Sequence, residues 1–320
     1  MQELSGTSKI RPFGSKSCSH GSMKNRTFNK LQAQFAYGHR EILLEYFGLP
    51  MNSPFTGVLQ HGAGTTPMLF GDRKTPRIGM RRIPHLVWSK LVAQELHDLG
   101  DSKAVSIGSP WAYLHASIHE KKQDIRSIPN SILYFPTHHS LSVDRDLTSS
   151  QFRSILIKLK EQFPSAKLSA CLYYSEFLLR ELHIVAEDEG VRLVCPGIGG
   201  WDRNWTPHPA RVNFLKNLYS IISESERVIF ESFTTGIFYA ASLKKQILYQ
   251  PSLSNQKFDT FGIEHRIQSE WMDSSIFASH DFVTSDKYDD VTNYMLGLSD
   301  LLTKEELFEI VTIDELDVFP

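Results

Sequence analysis

The segment from Arg227 to Tyr249, RVIFESFTTGIFYAASLKKQILY, predicts a strand, a helix and a second strand in direct succession. Its two short apolar runs, at Arg227 to Phe230 and Gln246 to Tyr249, are typical of buried strands. Apolar residues at helical spacing lie between them, from Thr235 to Leu243. This succession indicates a βαβ unit with parallel strands.

The same alternation extends through the rest of the chain. We therefore expect an α/β protein with two Rossmann-like domains, whose parallel sheets face a central cleft that holds the ligand. The other predicted strands are Thr56–Gln60, His85–Ser89, Val105–Gly108, Ser131–Phe135, Lys167–Tyr174 and Val191–Cys195. The other predicted helices are Phe28–Phe47, Lys90–Leu99, Thr148–Phe163 with Thr148 or Ser149 as its cap, Glu176–Glu189 and Arg211–Ser223.

The length of 320 residues also favours two domains, at about 150 residues each. We expect a flexible arm at 1–27, a first α/β domain at 28–118 and a second at 131–299. The polar segment 119–130 predicts a linker between them, and 300–320 predicts a tail that packs on the domains.

Composition excludes several classes of protein. The chain is 41% hydrophobic and 22% charged, as in ordinary globular proteins. Its formal net charge of -2 argues against a protein that coats nucleic acid. Three distant cysteines favour a reducing compartment with structural thiols. Because no apolar run approaches the ~18 residues of a membrane span and no secretory signal is visible, we expect a cytoplasmic protein.

Ligands of open α/β sheets bind beyond the carboxyl ends of the strands, so the residues that follow each strand are the site candidates. The first candidate is the turn from His61 to Thr66, HGAGTT. Gly62 and Gly64 permit close backbone approach to a substrate beside Thr65, and the His61 imidazole is a possible acid or base. An ordinary glycine turn with an incidental histidine explains the same residues, and no standard dinucleotide or ATP motif is present.

Two further candidates contain histidines. His138 and His139 follow the first strand of the second half, with Asp144 close behind, but no third residue at a fitting spacing completes a metal site. His208 precedes a predicted helix that has Arg211 in its first turn. A cation is unfavourable at that end of a helix unless an anion binds nearby, although His208 is equally well explained as a turn residue between prolines.

The fourth candidate, the hydroxyl turn Glu231 to Gly236, is the strongest local signal. It places Ser232, Thr234 and Thr235 between a strand and the start of a helix. Hydroxyls and unpaired N–H groups at a helix N-terminus bind phosphate without lysine, and helix capping alone needs only one of them. The turn, including Gly236, is therefore predicted to bind a nucleotide phosphate.

These motifs together resemble the GT-B glycosyltransferases. The segment from Arg227 to Tyr249 resembles their donor-binding unit, and the segment from Val87 to Tyr113 is similar to the end of the first domain in bacterial surface-polysaccharide transferases. His208-Pro209, followed by Ser232, resembles the His-Pro and Ser/Thr motifs of bacterial sialyltransferases and polysialyltransferases, which use CMP-activated acidic sugars. Gln60-His61-Gly62 also resembles a motif of polymerases that use CDP-glycerol or CDP-ribitol, so the donor stays open.

The resemblance implies an enzyme that transfers a sugar from a nucleotide-sugar donor to a glycan or lipid-linked acceptor, with no nucleic-acid partner and no cofactor. The second domain would bind the donor and the first the acceptor. Ser232, Thr234 and Thr235 would stabilise the leaving phosphate, assisted by His208, His138 or His139. His61, Asp72 or Asp144 would deprotonate the acceptor, and no Asp-x-Asp motif calls for a metal.

Alternatives remain open at this point. A sugar-nucleotide epimerase with the same two-domain build would use an acidic group such as Asp144 or Glu231, whereas a two-lobed periplasmic binding protein would need a signal peptide. The basic cluster at Arg73, Lys74, Arg77, Arg81 and Arg82 suggests peripheral association with the inner membrane face or an acidic glycan, and a solvated loop explains it as well.

Overall fold

The chain forms two parallel β-sheets in the computed structural model, which describes residues 37–53, 57–60, 62–63, 84–98, 100, 103–120, 126–137, 147–199, 212–232, 234–254 and 281–311. The first sheet contains, in spatial order, β1 (Val58–Leu59), β2 (His85–Val87) and β3 (Ala104–Ser106). The second has the order β6-β5-β4-β7-β8, and its strands are β4 (Ser131–Phe135), β5 (Lys167–Cys171), β6 (Arg192–Val194), β7 (Arg227–Phe230) and β8 (Gln246–Tyr249). The predicted α/β class with parallel sheets is thereby confirmed.

Helices connect and cover these strands. Those of the described residues are α1 (His39–Tyr46), α2 (Lys90–Asp98), α3 (Pro110–Glu120), α4 (Ser149–Gln162), α5 (Tyr174–Phe177), α6 (Arg180–Asp188), α7 (Phe214–Ser223), α8 (Thr235–Ser242), α9 (Asp289–Leu296) and α10 (Lys304–Val311). The predicted cap of α4 is confirmed at Thr148, whose hydroxyl accepts from Gln151 N at 3.3 Å while the Gln151 side chain accepts from Thr148 N at 3.2 Å.

The central strands of the second sheet are covered on both faces. In β4 the side chains of Ile132, Leu133 and Tyr134 are buried, and in β7 those of Val228 and Ile229 are buried. Continuous apolar runs of this kind are characteristic of parallel strands between two helical layers. This burial explains why the sequence predicts β4, β7 and β8 with the bounds that the structure has.

Helix α3 is the principal element that sequence analysis omits. The sequence predicts a strand that ends at Gly108 and no helix directly after it. In the structure Pro110 begins a helix, a position where proline loses no hydrogen bond. The helix continues to Glu120, so its last two residues, His119 and Glu120, fall within the segment predicted to be a linker. The domain bounds themselves stay a prediction.

The helix predicted at Glu176 to Glu189 is divided into two, which corrects that interpretation. Helix α5 ends at Phe177 and α6 begins at Arg180. The chain turns outward between them, and Leu178 is 64% exposed there. The side chains of Leu178 and Leu179 therefore do not continue the buried apolar face of the two helices. Apolar periodicity alone does not reveal such a break.

One of the hydrophobic clusters includes side chains of both sheets. This cluster of buried side chains includes Trp88 beside the first sheet and Phe230 at the end of β7. Trp111 of α3 stacks on Tyr239 of α8, with ring centroids 4.1 Å apart and an interplanar angle of 12°, and its Nε1 donates to Ser242 Oγ at 2.8 Å. Helix α3 therefore packs directly on the helix that follows the hydroxyl turn.

Asp300, which follows α9, contacts two elements of the first half of the chain. Its Oδ2 accepts from Lys90 N, the first residue of α2, at 2.9 Å and from Ser106 Oγ of β3 at 3.1 Å. A carboxylate at this end of a helix satisfies an unpaired N–H group and opposes the partial positive charge of the helix. The chain after α9 is thereby fastened to the first sheet.

We expect Asp300→Ala to lower the free energy of unfolding by about 1–2 kcal/mol, since it removes the acceptor of Lys90 N at the start of α2 and of Ser106 Oγ in β3. Lys90→Ala is the matched control: the Lys90 side chain is 82% exposed, and its ion pair with Asp300 spans 3.4 Å. Such an exposed pair contributes under about 1 kcal/mol. Urea titration of both variants distinguishes the two contributions, and equal losses would show that the ion pair dominates.

Lys245, which precedes β8, is a buried cation held by two hydrogen bonds. Its Nζ donates to Ser127 Oγ and to Ser223 O, both at 2.7 Å. Burial lowers the pKa of this ammonium group to about 8, although the nearby Glu226 raises it in part. The unfolded chain, with the ordinary lysine pKa, therefore binds more protons than the folded chain above pH 8.

The contribution of Lys245 to the free energy of unfolding should consequently become more favourable as the pH rises, by about 2 kcal/mol between pH 7 and pH 9.5. Lys245→Met removes this contribution. Burial raises the pKa of the Cys171 and Cys195 thiols, which makes the folded chain less stable over the same range, so wild type and variant must be compared at each pH. A difference between them that does not vary with pH would contradict the prediction.

Within the described residues, no helix is both long and apolar enough to cross a bilayer.

Candidate functional site

The strand order of the second sheet changes direction between β4 and β7. Strand β4 pairs with β5 on one side and with β7 on the other, which makes the β4/β7 boundary the topological switch point. Ligands of open α/β sheets bind outside the carboxyl ends of the strands at such a boundary. Phe135 and Phe230 end the two strands and stack there, with ring centroids 4.8 Å apart.

A buried carboxylate joins the two strand ends. Glu231 is 1% exposed, and its Oε2 accepts from Tyr134 Oη at 2.8 Å and from Thr137 N at 2.9 Å. Its backbone N donates to Phe135 O at 3.1 Å. Among the described residues, Glu231 Oε1 and the buried Thr137 Oγ1 have no hydrogen-bond partner. A buried acceptor without a donor is costly, so Oε1 is positioned to accept from a group outside these residues.

The hydroxyl turn leads from Glu231 into α8. Thr234 is the N-cap, and its Oγ1 accepts from Gly236 N at 3.2 Å. Ser232, Thr234 and Thr235 are all partly exposed. The cap uses Thr234 only as an acceptor, and a hydroxyl still has one hydrogen to donate. The turn therefore combines O–H donors with the partial positive charge of a helix N-terminus, which suits an anion.

The loop after β1 reaches this helix from the other sheet. Ala63 N donates to Thr235 Oγ1 at 3.1 Å, which links residues 172 positions apart in the chain. A Cβ atom added to Gly62 would lie 3.0 Å from the same oxygen, so a side chain at Gly62 would crowd the contact. The carboxyl-end loops of β1 and β7, one from each sheet, thus meet at the start of α8.

Gln60 holds the loop after β1 in place. Its side chain is buried, its Oε1 accepts from Trp88 N at 2.8 Å, and its Nε2 donates to Gly62 O at 2.7 Å. The amide therefore ties the ends of β1 and β2 to the turn that contacts α8. The sequence does not predict Tyr134 as a site residue or the positioning role of Gln60, and it indicates Glu231 only as a possible acidic group of an epimerase. For Gln60 and Glu231 the sequence does contain a signal, because each is a polar residue directly after a buried apolar strand.

The structure brings together some of the predicted site residues. Gly62 precedes Ala63, which bonds to Thr235, and Ser232, Thr234 and Gly236 lie in the turn at the start of α8. The remaining candidates lie outside the described residues: His61, Gly64, Thr65, His138, His139, Asp144, His208 and Arg211. Their roles stay predictions, as do those of Asp72 and the basic cluster. In the part of the chain that the structure describes, no group of three or more His, Cys, Asp and Glu side chains is arranged to hold a metal.

Comparisons with known proteins give similarity to solved structures only. No protein-family model matches the chain, and no curated protein sequence matches it. A UDP-GlcNAc 2-epimerase from Neisseria meningitidis, solved bound to UDP-GlcNAc, is 13% identical with a TM-score of 0.36, over 69% of this chain and 57% of that one. S. aureus MnaA, solved with UDP, is 13% identical with a TM-score of 0.39, over 89% of this chain and 78% of that one.

A family 9 glycosyl transferase from Veillonella parvula is also similar, with 13% identity and a TM-score of 0.26, over 69% of this chain and 57% of that one. The chain thus spans less than two thirds of the length of the Neisseria and Veillonella proteins. The solved structures that resemble it include an epimerase of a nucleotide sugar and a glycosyl transferase. At these TM-scores the similarity assigns neither a substrate nor a reaction to this chain.

Proposed function

We propose that this chain is a glycosyltransferase that moves a sugar from a nucleotide-activated donor to a surface-glycan acceptor, without a metal ion. The observation that supports this most is the hydrogen bond from Ala63 N to Thr235 Oγ1. It brings a glycine-containing loop of one parallel sheet against an anion-compatible helix start of the other. A donor whose phosphate lies at α8 would therefore present its sugar toward residues of both sheets.

The proposed mechanism follows from the charge that develops during transfer. Cleavage of the bond between sugar and phosphate leaves negative charge on the nucleotide, and preorganised donors lower the energy of that state. Ser232, Thr234 and Thr235 supply O–H groups for it, and the start of α8 supplies N–H groups and a partial positive charge. His208, His138 or His139 would donate a proton or hydrogen bond to the leaving phosphate, and His61, Asp72 or Asp144 would deprotonate the acceptor.

A CMP-linked acidic sugar is the favoured donor, because His208-Pro209 and Ser232 resemble the motifs of the bacterial sialyltransferases. A CDP-polyol is the competing donor, because Gln60-His61-Gly62 resembles the motif of the CDP-glycerol and CDP-ribitol polymerases. From it a polyol phosphate would be transferred and CMP released. Incubation of the purified chain with each donor and an oligosaccharide acceptor, followed by mass spectrometry, separates the two. Acceptor-dependent release of the nucleotide, undiminished by EDTA, is the expected result, and no transfer from any donor would refute the proposal.

The buried Glu231 carboxylate favours a second candidate, a sugar-nucleotide epimerase. Its Oε1 has no hydrogen-bond partner among the described residues, and Glu231 directly precedes Ser232 of the proposed phosphate site. An epimerase requires an acid or base near the sugar. An epimerase needs no acceptor. NMR of a UDP-sugar incubated with the chain alone would show a new stereoisomer in that case, whereas a transferase would leave the stereochemistry of the unreacted donor unchanged.

We further propose peripheral membrane association on the inner face, through the basic cluster at 73–82. Sedimentation with anionic vesicles tests it, since electrostatic attachment should disappear at high salt. Binding that does not depend on salt or on anionic lipid would contradict this attachment.

A further inference from the structure

The last turns of α3 hold two histidines on one face. His115 and His119 are four residues apart, a spacing that places side chains one above the other on a helix. Their ring centroids are 4.3 Å apart with an interplanar angle of 78°. His115 is half-buried and His119 is exposed to solvent, so the pair is open on one side.

Helix α7 supplies a third group at this place. The hydroxyl of Tyr219 lies 3.3 Å from His115 Nδ1. When Nδ1 holds the ring proton, it donates to that hydroxyl oxygen and the lone pair of His115 Nε2 is left free. Metal-binding histidines are oriented in this way, with the second nitrogen hydrogen-bonded to a neighbouring oxygen.

We propose that His115 and His119 bind one divalent transition-metal ion, of which Zn²⁺ is the biologically relevant candidate. Imidazole nitrogens suit Zn²⁺, Ni²⁺ and Cu²⁺, and two histidines four residues apart on a helix bind a single zinc ion in known proteins. His119 lies in the last turn of α3, where the partial negative charge of the helix C-terminus favours a cation. Water fills the remaining coordination positions, so the ion exchanges readily.

This site is separate from the proposed phosphate site. It is built on α3 and α7, whereas the phosphate site is built on α8 and the loop after β1. The proposal therefore does not depend on the proposed function and implies no metal in the transfer reaction. The two imidazole rings pack against each other without the ion. With His115 held by Tyr219, metal binding requires the exposed His119 ring to turn until one of its nitrogens and His115 Nε2 meet at the ion.

Isothermal titration of the full chain with Zn²⁺ at pH 7.5 tests the proposal. We expect one ion per chain and at least a tenfold loss of affinity in His119→Ala, a variant that should fold because His119 is exposed. His119→Cys should restore binding, because thiolate is also a zinc ligand. The double variant His138→Ala/His139→Ala removes the two histidines that are neighbours in sequence and serves as the control. It should bind Zn²⁺ as tightly as wild type.

Copper provides a second readout that does not depend on stoichiometry. Cu²⁺ binds the same ligand types more tightly than Zn²⁺, and its EPR spectrum should show two coordinated nitrogens in wild type and one in His119→Ala. Absence of zinc binding in wild type would overturn the proposal. Undiminished binding in His119→Ala, or loss only in the His138/His139 variant, would overturn it as well, since the ion would then bind elsewhere.

Discussion

Gly297→Ala is expected to prevent stable folding. Gly297 follows α9 with φ of +58°, and an added Cβ would lie 1.7 Å from the carbonyl oxygen of Trp88 and 3.2 Å from Gly108 Cα. Both contacts are with backbone, so no side chain can rotate away. The adjacent hydrogen bond from Ser109 N to Leu296 O, 2.9 Å long, holds α9 against the first sheet. We expect the free energy of unfolding to fall by more than about 4 kcal/mol, which would be seen as insoluble protein or a strongly lowered urea midpoint.

Gly190→Ala is the matched control for that experiment. Gly190 has φ of +63°, close to that of Gly297, but nothing lies within 4 Å of an added Cβ. The backbone cost of a left-handed alanine, about 1–2 kcal/mol, is therefore common to both variants. The difference between the two losses in free energy of unfolding therefore measures the close approach of α9 to Trp88. Similar losses in both variants would show that this contact is not tight.

Thr235→Val should reduce nucleotide affinity by 10-fold to 100-fold. Valine has nearly the shape of threonine but removes Oγ1, which accepts from Ala63 N and is a proposed donor to phosphate. Hydrogen bonds to charged groups contribute about 1.5–3 kcal/mol, which corresponds to that range of affinity. Isothermal titration with the nucleotide that wild type binds best provides the measurement.

Thr235→Ser is the control, because it retains the hydroxyl and loses only a methyl group. Its affinity should remain within about fourfold of wild type, since burial of a methyl group contributes about 0.8 kcal/mol. A serine variant as weak as the valine variant would show that packing, and not the hydroxyl, matters at this position. Unchanged affinity in Thr235→Val would remove the residue from the phosphate site.

Local features of the fold were predictable because burial forces a recognisable pattern. Strands β4, β7 and β8 are short apolar runs because their faces are covered, and Thr148 caps α4 because its partner lies three residues along the chain. Helix α3 was not predicted because Pro110 is compatible with both a strand end and a helix start. The break at Leu178 depends on packing that apolar periodicity does not contain.

The site was predictable only in part, for a related reason. The hydroxyl turn is visible because its residues are adjacent in sequence. The contact of Ala63 with Thr235 joins residues 172 positions apart, and that of Tyr134 with Glu231 joins residues 97 positions apart. The pairing of β4 with β7 creates the second contact, and the approach of the two sheets creates the first. Neither leaves a trace in local spacing. The sequence therefore indicates Glu231 only as a possible acidic group. It does not indicate that this side chain joins the ends of β4 and β7.

A thermal-shift panel of CMP, CDP, UDP, UMP, GDP and NAD with the wild-type chain tests the central claim most directly. A nucleotide at 100 times its dissociation constant stabilises the folded state by about 2.7 kcal/mol, which is readily measured. The account predicts a clear shift with a cytidine nucleotide: CMP for an acidic-sugar donor or CDP for a polyol phosphate. If no nucleotide raises the melting temperature, the start of α8 is not a nucleotide-phosphate site, and the proposed transfer reaction fails with it.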